Sequence, residues 1–374
     1  MKVIIAAAGT GGHINPGIAI ANKIKEKEPN SEIIFIGTNR GLENDLVPRA
    51  GYELKTIQAY GFNRKISLDN FKKMYKTFCS IGEAKKFIQE FQPDIVIGTG
   101  GYICVPVGMA AKKAKIPIVL HESNAFPGIA IKMLSQKAET ILLGFEDAKP
   151  RIPNAKKIVV TGTPTKVKHL EISESQKVQI IRQLGLQENL PVVLCFGGSQ
   201  GAQSINDSLI RIIKKHKNVN YQLVWAAGPA QYEEVKESLK ECNMEIEHLN
   251  KVKIVPYIYN MEEIMNAVDL VVCRSGAMTI TEVSNVGKPA IFIPFPFATE
   301  NHQEYNARVL EKVDAAKIIL DKNLTAELLN DMIENLVKDR EKLQKMGENA
   351  ISVSIQNVEE KIHQEIITVV KKDK

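Results

Sequence analysis

Two glycine-rich turns, each between an apolar strand-like run and a helix-like run, constrain this sequence most. The first turn is Ala8–His13, which reads AGTGGH and follows KVIIAA. The second is Gly197–Ala202, which reads GGSQGA and follows VVLCF. A turn of this kind lets a ligand approach the backbone, and the N-terminus of the following helix favours negative charge. The pair predicts two nucleotide-binding α/β domains that face each other across a cleft.

The chain is long enough for two hydrophobic cores, because it has 374 residues and single cores rarely extend beyond about 250–300. The polar stretch Thr161–His169 is the best linker, and we predict domains over residues 1–163 and 164–374. The tail from about Thr325 has a charged helical pattern, and its last helix could pack back on the first domain.

Charge and cysteine usage exclude several classes of protein. The net charge of +6 comes without a Lys/Arg block or an aromatic RNA-binding motif, so we expect an anionic substrate or surface and no nucleic acid. The five cysteines lack Cys-x-x-Cys spacing, which indicates reduced thiols in a cytosolic protein. The sequence shows no signal-peptide pattern and no apolar run near the ~20 residues that span a bilayer. It also has no Asp-x-Asp pair or metal-ligand cluster, so we predict no cofactor and no metal.

Short apolar runs alternate with helix-like runs along almost the whole sequence. Runs of this length, rich in β-branched residues, are typical of strands buried on both faces of a parallel sheet. The predicted strands are Val3–Ala7, Ile33–Gly37, Ile95–Gly98, Ile118–His121, Ile141–Gly144, Ile158–Thr161, Val192–Phe196, Gln222–Ala226, Lys253–Val255, Leu270–Cys273, Ala290–Pro294 and Lys317–Leu320. The pattern predicts an α/β protein with mostly parallel sheets.

Polar or glycine-rich segments follow three strands of the first half, at the strand ends where open α/β sheets bind ligands. His13 follows the first turn, Gly100, Gly101 and Tyr102 belong to another glycine turn, and His121–Asn124 ends the next strand. Each has a structural alternative, either a packed or capping histidine or a tight loop. Their shared position predicts that they line one pocket.

The second half carries groups suited to a nucleotide sugar. Ser199 and the amides of Gly198–Ala202 can hold a diphosphate, and Arg274 offers a permanent charge to phosphate or carboxylate. Glu282 can accept hydrogen bonds from two ribose hydroxyls, and the loop Thr299–Gln303 has groups suited to sugar hydroxyls. The alternatives are a buried ion pair or helix cap for Arg274 and a solvated loop for Thr299–Gln303.

Several segments together resemble the MurG family of bacterial N-acetylglucosaminyltransferases, which convert lipid I to lipid II in peptidoglycan synthesis. They are G-T-G-G-H-x-x-P from Gly9, H-E-x-N from His121, G-G-S-Q-G-A-x-x-x-N from Gly197, C-R-S-G-A-x-T from Cys273, and Pro294–Asn306. The resemblance covers most of the chain in the family's order, and the motifs are specific together although each is weak alone. It implies a GT-B fold, in which two Rossmann-like domains face an interdomain cleft that holds the active site.

The resemblance also implies the donor and the residues that bind it. The donor is UDP-N-acetylglucosamine, bound mainly by the C-terminal domain. The implied contacts are Ser199 and its loop at the diphosphate, the Ile258 backbone at the uracil, Ala277, Thr279 and Glu282 at the uridine and ribose, Gln303 with His302 at the sugar, and Thr10, Gly11, Gly12 and Asn124 from the N-terminal domain. Some family members have an arginine in the interdomain segment where this chain has Lys166, which puts a donor contact from Lys166 in doubt.

The implied reaction is a single displacement at the anomeric carbon, in which the acceptor's 4-hydroxyl attacks and UDP leaves. The amides of Gly198–Ala202, the helix N-terminus and Arg274 would stabilise the departing diphosphate without a metal. His13 is the first choice of general base, because imidazole titrates near neutral pH, and Glu122 and His121 are weaker choices. The residues predicted to bind the acceptor, lipid I, are His13, Gly100, Gly101, Tyr102 and His121.

A lipid-linked acceptor requires contact with a membrane. On a helix, one apolar stripe would be flanked by lysines, the stripe being Phe71, Met74, Tyr75 and Phe78 and the lysines Lys72, Lys73 and Lys76. Such a face suits an anionic inner-leaflet surface, so we expect a peripheral protein at the cytoplasmic face of the bacterial cell membrane. An ordinary core-facing helix with solvated lysines is the alternative.

Other functions stay open from the sequence. Another GT-B UDP-sugar transferase or a UDP-N-acetylglucosamine epimerase would share the fold. A non-catalytic UDP-sugar-binding protein would bind the donor and release no UDP. A dehydrogenase is disfavoured, because the third glycine of the dinucleotide fingerprint would fall at Ile14.

Overall fold

The computed structural model describes residues 1–60, 68–198, 200–215, 219–242, 244–245 and 249–372. The chain divides into two compact units. The first unit combines Met1–Thr165 with the segment from Ile355 onward, and the second consists of Lys166–Ser354. The C-terminal segment therefore packs with the first unit, although it follows the second unit along the chain.

The first unit is built on a seven-stranded parallel sheet with the order β3-β2-β1-β4-β5-β6-β7. Its strands are β1 (Lys2–Ala7), β2 (Glu32–Gly37), β3 (Glu53–Thr56), β4 (Ile95–Gly100), β5 (Ile118–Glu122), β6 (Thr140–Leu143) and β7 (Ile158–Val160). Its helices are α1 (Gly11–Lys27), α2 (Glu43–Arg49), α3 (Leu68–Phe91), α4 (Cys104–Lys113), α5 (Ile129–Leu134) and α14 (Val358–Lys372), with a 3-10 helix over Glu146–Arg151.

The second unit is built on a six-stranded parallel sheet with the order β10-β9-β8-β11-β12-β13. Its strands are β8 (Val192–Phe196), β9 (Gln222–Ala226), β10 (Val252–Val255), β11 (Leu270–Cys273), β12 (Ala290–Phe292) and β13 (Ala316–Ile318). Its helices are α6 (Glu174–Gln183), α7 (Gln203–Lys215), α8 (Tyr232–Lys240), α9 (Met261–Ala267), α10 (Ala277–Val286), α11 (His302–Glu311), α12 (Ala326–Val337) and α13 (Arg340–Ser352), with 3-10 helices over Thr299–Asn301 and Asp321–Asn323.

The apolar runs form strands because both faces of the sheet are covered. Along β1, Ile4 and Ala6 belong to one core cluster, while Val3, Ile5 and Ala7 belong to another. This alternation follows from the two-residue period of a strand. The last helix, α14, packs against α1 and contributes its apolar face to the second of these clusters.

In both sheets the strand order reverses next to the first strand of the unit. β1 lies beside β4 in the first unit, and β8 lies beside β11 in the second. The connections on the two sides of such a point leave in opposite directions, which opens a crevice at the carboxyl ends of the strands where α/β proteins bind ligands. Both predicted glycine turns therefore lie at the ligand-binding edge of a sheet.

The predicted α/β class with parallel sheets is confirmed. Each predicted strand is present, with ends that differ by at most two residues. The sequence analysis misses β3, because this edge strand reads ELKT, with a single apolar residue, and is only partly buried. None of the described helices has the length and apolar character needed to cross a membrane.

Candidate active site

The first glycine turn connects β1 to α1 and is tied to α2. Gly9 has a φ of +96°, a conformation that residues with side chains disfavour. Its N–H donates to Oε2 of Glu43 at 2.9 Å. Thr10 is the exposed N-cap of α1, and Gly11 and Gly12 form the half-exposed first turn. The positive end of the α1 dipole thus lies at the ligand-binding edge, where donor contacts are predicted.

His13 lies in this first helical turn in a defined orientation. Its Nδ1–H donates to the Ala8 carbonyl at 3.0 Å, so Nε2 is the nitrogen that can accept a proton. Its own carbonyl accepts from Thr99 Oγ1 at 2.8 Å. Burial lowers the pKa of His13, while the hydrogen bond to Ala8 and the charge of Glu43 act in the opposite direction. A neutral imidazole with an unprotonated Nε2 is the form that a general base requires.

The turn after β4 leaves room for this histidine. A Cβ atom on Gly100 would lie 2.3 Å from Cδ2 of His13, and one on Gly101 would lie 2.5 Å from the Ala8 oxygen. The structure therefore brings His13 together with the turn that contains Gly100, Gly101 and Tyr102. The two glycines permit this close packing, and their contact with the acceptor stays a prediction.

His121 lies in the interior and not at an open edge. Its side chain is fully buried, with Nε2 3.1 Å from the Gly162 carbonyl and Nδ1 3.4 Å from Ser123 Oγ. Burial lowers the pKa of His121 to about 4, so the ring is neutral at physiological pH. Since both ring nitrogens are engaged, we assign His121 a structural role in place of the predicted acceptor-binding and base roles.

Glu122 organises the loop that follows β5. Its Oε1 accepts from the backbone N–H of Asn124 at 2.8 Å and from the side-chain amide of Asn124 at 2.9 Å. Its Oε2 accepts from the N–H of Gly128 at 2.8 Å, and the side chain is 5% exposed. A buried carboxylate with three donors is less available to a substrate proton than Nε2 of His13. The geometry therefore favours His13 over Glu122 as the base.

The second glycine turn connects β8 to α7. Ser199, which is predicted to bind the diphosphate, lies outside the described residues. On either side of it, the N–H of Gly201 donates to the Gly198 carbonyl at 3.0 Å, which closes the turn. The N-terminus of α7 follows at the ligand-binding edge of the sheet, as an anion site requires.

Arg274 is engaged within the protein, and its predicted diphosphate contact stays a prediction. Its guanidinium pairs with Asp321 at 2.5 Å and donates to Ser204 Oγ at 3.0 Å. It also donates to the carbonyls of Ile293 and Pro294, at 3.0 and 3.2 Å, and its side chain is 12% exposed. The ion pair that the sequence analysis gives as the alternative is therefore present, and it is partly buried. Because Ser204 lies in the first turn of α7, the pair anchors the helix that follows the second glycine turn.

The helix after β11 carries the residues predicted for the uridine and ribose. α10 begins at Ala277, which is buried, and its N-cap is Gly276. Thr279 and Glu282 are half-buried and lie three residues apart, so they share one face of the helix. Their contacts with the donor stay predictions.

The residues predicted for the sugar lie at the start of α11 and are oriented by their neighbours. Oε1 of Gln303 accepts from the N–H of Phe295 at 3.0 Å, and the Gln303 carbonyl accepts from Ser275 Oγ at 2.8 Å. The Nδ1–H of His302 donates to the Thr299 carbonyl at 2.8 Å. These bonds hold both side chains beside the loops that follow β11 and β12.

Ile258 follows β10 with its side chain buried, so its backbone is the part that a uracil base would meet. Tyr257 and Tyr259 flank it, exposed, with ring centroids 5.0 Å apart. The sequence analysis gives these tyrosines no role, although exposed aromatic rings at a strand end suit a nucleobase.

Sequence reasoning also missed two carboxylates that support the glycine turns. Glu43 binds Gly9 across 34 positions, and Asp321 accepts from Ser204 Oγ at 2.7 Å across 117 positions. Each carboxylate lies on a different element from the turn that it supports. No local pattern could have paired them.

The predicted membrane stripe falls on the first half of α3. The structure describes the side chains of Tyr75 and Lys76, and both are exposed. The other side chains lie outside the part of the chain that the structure describes, and they are Phe71, Lys72, Lys73, Met74 and Phe78. The membrane contact of this helix stays a prediction.

Comparison with known protein families gives the class. The N-terminal domain of glycosyltransferase family 28 matches residues 3–143, and the C-terminal domain of this family matches residues 192–366. Each match begins in the first strand of a unit and includes its glycine turn. The chain therefore belongs to glycosyltransferase family 28, and the predicted GT-B class with two Rossmann-like domains is confirmed.

Comparison with individual proteins shows which members of this family the chain resembles. The chain is 44% identical to the UDP-N-acetylglucosamine–N-acetylmuramyl-(pentapeptide) pyrophosphoryl-undecaprenol N-acetylglucosamine transferase of Acetivibrio thermocellus, covering 100% of this chain and 99% of that one. It is 41% identical to the enzyme of the same name from Clostridioides difficile, covering 99% and 89%. The crystal structure of Acinetobacter baumannii MurG superimposes with a TM-score of 0.77 at 25% identity, covering 99% of both chains. The resemblance to the MurG family is thus confirmed.

A UDP-GlcNAc 2-epimerase from Neisseria meningitidis also superimposes on the chain. Its TM-score is 0.64 at 15% identity, covering 98% of this chain and 100% of that one. At this identity the likeness shows the fold alone, so it gives the epimerase alternative no further support.

Proposed function

We propose that this glycosyltransferase moves N-acetylglucosamine from UDP-N-acetylglucosamine to the 4-hydroxyl of an N-acetylmuramyl-pentapeptide on undecaprenyl diphosphate. This reaction converts lipid I to lipid II for peptidoglycan synthesis. The observation that carries the proposal is the name of relatives that are 40–44% identical along nearly their full length. The glycine turns at the ligand-binding edges of both sheets support it, because each suits a phosphate-containing ligand.

The donor binds mainly to the second unit in this proposal. Ser199 and the first amides of α7 hold the diphosphate, and the Ile258 backbone meets the uracil. Thr279 and Glu282 meet the ribose beside Ala277 at the start of α10, and Gln303 with His302 meets the sugar hydroxyls. Donor contacts from the first unit come from Thr10, Gly11, Gly12 and Asn124. The loop that Glu122 stabilises keeps Asn124 in place for this contact.

The chemistry is a single displacement with inversion at the anomeric carbon. The bond from the acceptor O4 to C1 forms while the bond from C1 to the UDP oxygen breaks, so an α-linked donor gives a β-linked product. The hydroxyl proton moves to Nε2 of His13. The amides of Gly198–Ala202 stabilise the negative charge that develops on UDP. Arg274 contributes its permanent positive charge and also binds Ser204 at the start of α7.

One assay tests the reaction against its rivals. The chain is incubated with UDP-N-acetylglucosamine and lipid I or a short-chain analogue, and UDP and the lipid-linked disaccharide are measured. Equal amounts of the two products support the proposal. Epimerised donor in the absence of acceptor would support an epimerase, and donor binding without UDP release under any acceptor would support a binding protein.

We expect this activity to be independent of a divalent cation. Among the described residues, no group of three or more His, Cys, Asp or Glu side chains comes together to hold one. The leaving group is stabilised by backbone amides in this mechanism, so turnover should be unchanged in excess EDTA. Lost turnover that Mg²⁺ or Mn²⁺ restores would contradict the assignment.

Substitution of Glu282 by alanine should weaken donor binding. The loss of hydrogen bonds to a charged group predicts about 1–3 kcal/mol, or roughly 5–150-fold in Kd. Isothermal titration calorimetry with UDP-N-acetylglucosamine measures this change. Glu237→Ala, at an exposed position on α8, is the matched control and should leave Kd unchanged. An unchanged Kd in folded Glu282→Ala would remove Glu282 from the site.

Because the proposed acceptor carries a lipid anchor, an anionic membrane surface is the proposed binding partner of the enzyme. Tyr75 is 71% exposed and Lys76 is also exposed on α3, as expected if this face of the helix contacts lipid headgroups. We therefore propose peripheral binding to the cytoplasmic face of the bacterial cell membrane through the stripe of α3.

A further inference from the structure

A carboxylate that the proposed mechanism does not use lies beneath the first glycine turn. Glu43 is fully buried at the start of α2. Its Oε1 accepts from the N–H and Oγ1 of Thr38, at 3.0 and 2.6 Å, and its Oε2 accepts from the N–H of Gly9 at 2.9 Å. Burial raises the pKa of Glu43, but the bonds from Thr38 and Gly9 outweigh this and lower it below its usual value. Glu43 is therefore ionised at neutral pH.

One peptide group connects this carboxylate with His13. The Gly9 N–H that donates to Glu43 belongs to the same peptide group as the Ala8 carbonyl, which accepts from Nδ1–H of His13 at 3.0 Å. In a trans peptide the N–H and C=O lie in one plane and point in opposite directions, so Glu43 and His13 bind opposite edges of the same peptide group. A carboxylate that accepts the N–H polarises the peptide and makes its oxygen a stronger acceptor.

The imidazole of His13 has little room to rotate away from the Ala8 carbonyl. Its ring lies against Gly100, where a Cβ atom would approach to 2.3 Å, and a Cβ on Gly101 would approach the Ala8 oxygen to 2.5 Å. The ring is thus held between the Ala8 carbonyl and the turn after β4. The orientation of the Ala8–Gly9 peptide therefore decides the direction of Nε2.

We infer that Glu43 is a positioning residue for the transfer reaction, acting through the Ala8–Gly9 peptide to fix the tautomer and direction of His13. The inference rests on the proposed role of His13 as the base. Histidine bases are commonly oriented by a carboxylate that contacts Nδ1 directly. Here a peptide group stands between the two side chains.

The charge of Glu43 also affects the basicity of His13. In the described part of the chain, Glu43 is the charged side chain that raises the pKa of His13 through space, against the larger lowering by burial. Removing the charge should lower the pKa of His13 further. The acid limb of the pH–rate profile, where His13 becomes protonated, should then move to lower pH.

The test compares Glu43→Gln with the parent enzyme. Glutamine keeps the shape of the side chain but removes the charge. Its NH₂ group would face a donor of Thr38 or Gly9 where the carboxylate has an acceptor. We expect kcat to fall about 10–100-fold, the range found when metal-binding histidines lose their outer partners. The KM for UDP-N-acetylglucosamine should be nearly unchanged, and the acid limb of the pH–rate profile should lie at lower pH. Thr38→Val is the matched control, because it removes one donor to Glu43 but keeps the charge and the Gly9 bond. Its acid limb should stay at the parent position.

Nitrogen-15 NMR of the histidine rings separates this inference from the base assignment. In Glu43→Gln the pKa of His13 should fall and its Nδ1–H tautomer should become less populated, whatever the role of His13 in the reaction. An unchanged His13 titration and tautomer, with unchanged kcat, would overturn the inference even if His13→Ala is inactive. A normal rate in His13→Ala would instead overturn the base assignment.

The unmodified enzyme supplies a test that does not require Glu43→Gln to fold. Its Gly9 amide proton should resonate downfield and exchange slowly with solvent, because it donates to a buried carboxylate. His13 should show the Nδ1–H tautomer in the same sample. Fast exchange at Gly9, or the Nε2–H tautomer at His13, would overturn the inference.

Discussion

Replacement of His13 by alanine should lower kcat by about 10²–10⁴-fold while the Kd for UDP-N-acetylglucosamine changes little. That loss corresponds to about 3–5 kcal/mol of transition-state stabilisation. The expected effect is large because His13 is the proposed acceptor of the hydroxyl proton. The effect is confined to kcat because the proposed donor contacts lie mainly on the second unit. Steady-state kinetics with a short-chain acceptor, together with calorimetry of the donor, measures both quantities.

Two further variants serve as a control for His13→Ala and as a test of the alternative base. His169→Ala removes a histidine of the second unit whose Nδ1 lies 3.3 Å from the Val286 carbonyl, and kcat should stay normal. Glu122→Gln keeps an oxygen acceptor for the loop that follows β5 but cannot act as a base. A near-normal rate in His13→Ala with a strong loss in Glu122→Gln would transfer the base role to Glu122.

Changing Lys72, Lys73 and Lys76 together to glutamate should abolish binding to vesicles that contain phosphatidylglycerol. Each lysine near an anionic leaflet contributes about 1 kcal/mol, so removal of three attractions predicts a loss of at least about 100-fold, and the new carboxylates add repulsion. Parent binding should also weaken as ionic strength rises, because salt screens the attraction. Vesicle sedimentation across a salt series measures both effects.

The control carries the same change in charge at another place. Lys112, Lys113 and Lys149 are exposed in the first unit and lie outside α3, and their triple change to glutamate should leave much of the vesicle binding intact. Both triple variants should still turn over a soluble short-chain acceptor. If the Lys72/Lys73/Lys76 variant sediments as well as the parent, the stripe of α3 is not the membrane contact, and the ordinary core-facing helix is the better reading.

The sequence motifs predicted correctly the features that depend on backbone conformation. The glycine turns and the strands before them are local features, since a tight turn and a buried strand each require particular residue types in a short stretch. The position of His13 in the first turn of α1, directly after the first glycine turn, follows from the same local pattern. The family resemblance, which rests on such segments, was therefore visible without the structure.

Side-chain roles were harder to predict, and Arg274 and His121 show why. An arginine after a buried strand can bind either a phosphate or a carboxylate of the protein. Asp321 follows β13 in the sequence, and only the fold brings it next to Arg274. His121 was placed correctly at the end of β5, but the residues that bury its ring come from other elements. In both cases the deciding partner is distant in the chain.

The sequence by itself determined the α/β class, the two glycine turns and the membership of the MurG family. These features depend on short-range periodicity and on the glycines that a tight turn requires. Only the tertiary structure decided which polar groups are engaged within the protein and which are oriented for chemistry. It paired Arg274 with Asp321, enclosed His121, and connected Glu43 to His13 through the Ala8–Gly9 peptide. These choices depend on burial and on hydrogen bonds between distant segments, and the free energy of such contacts is set by the folded environment and not by local sequence.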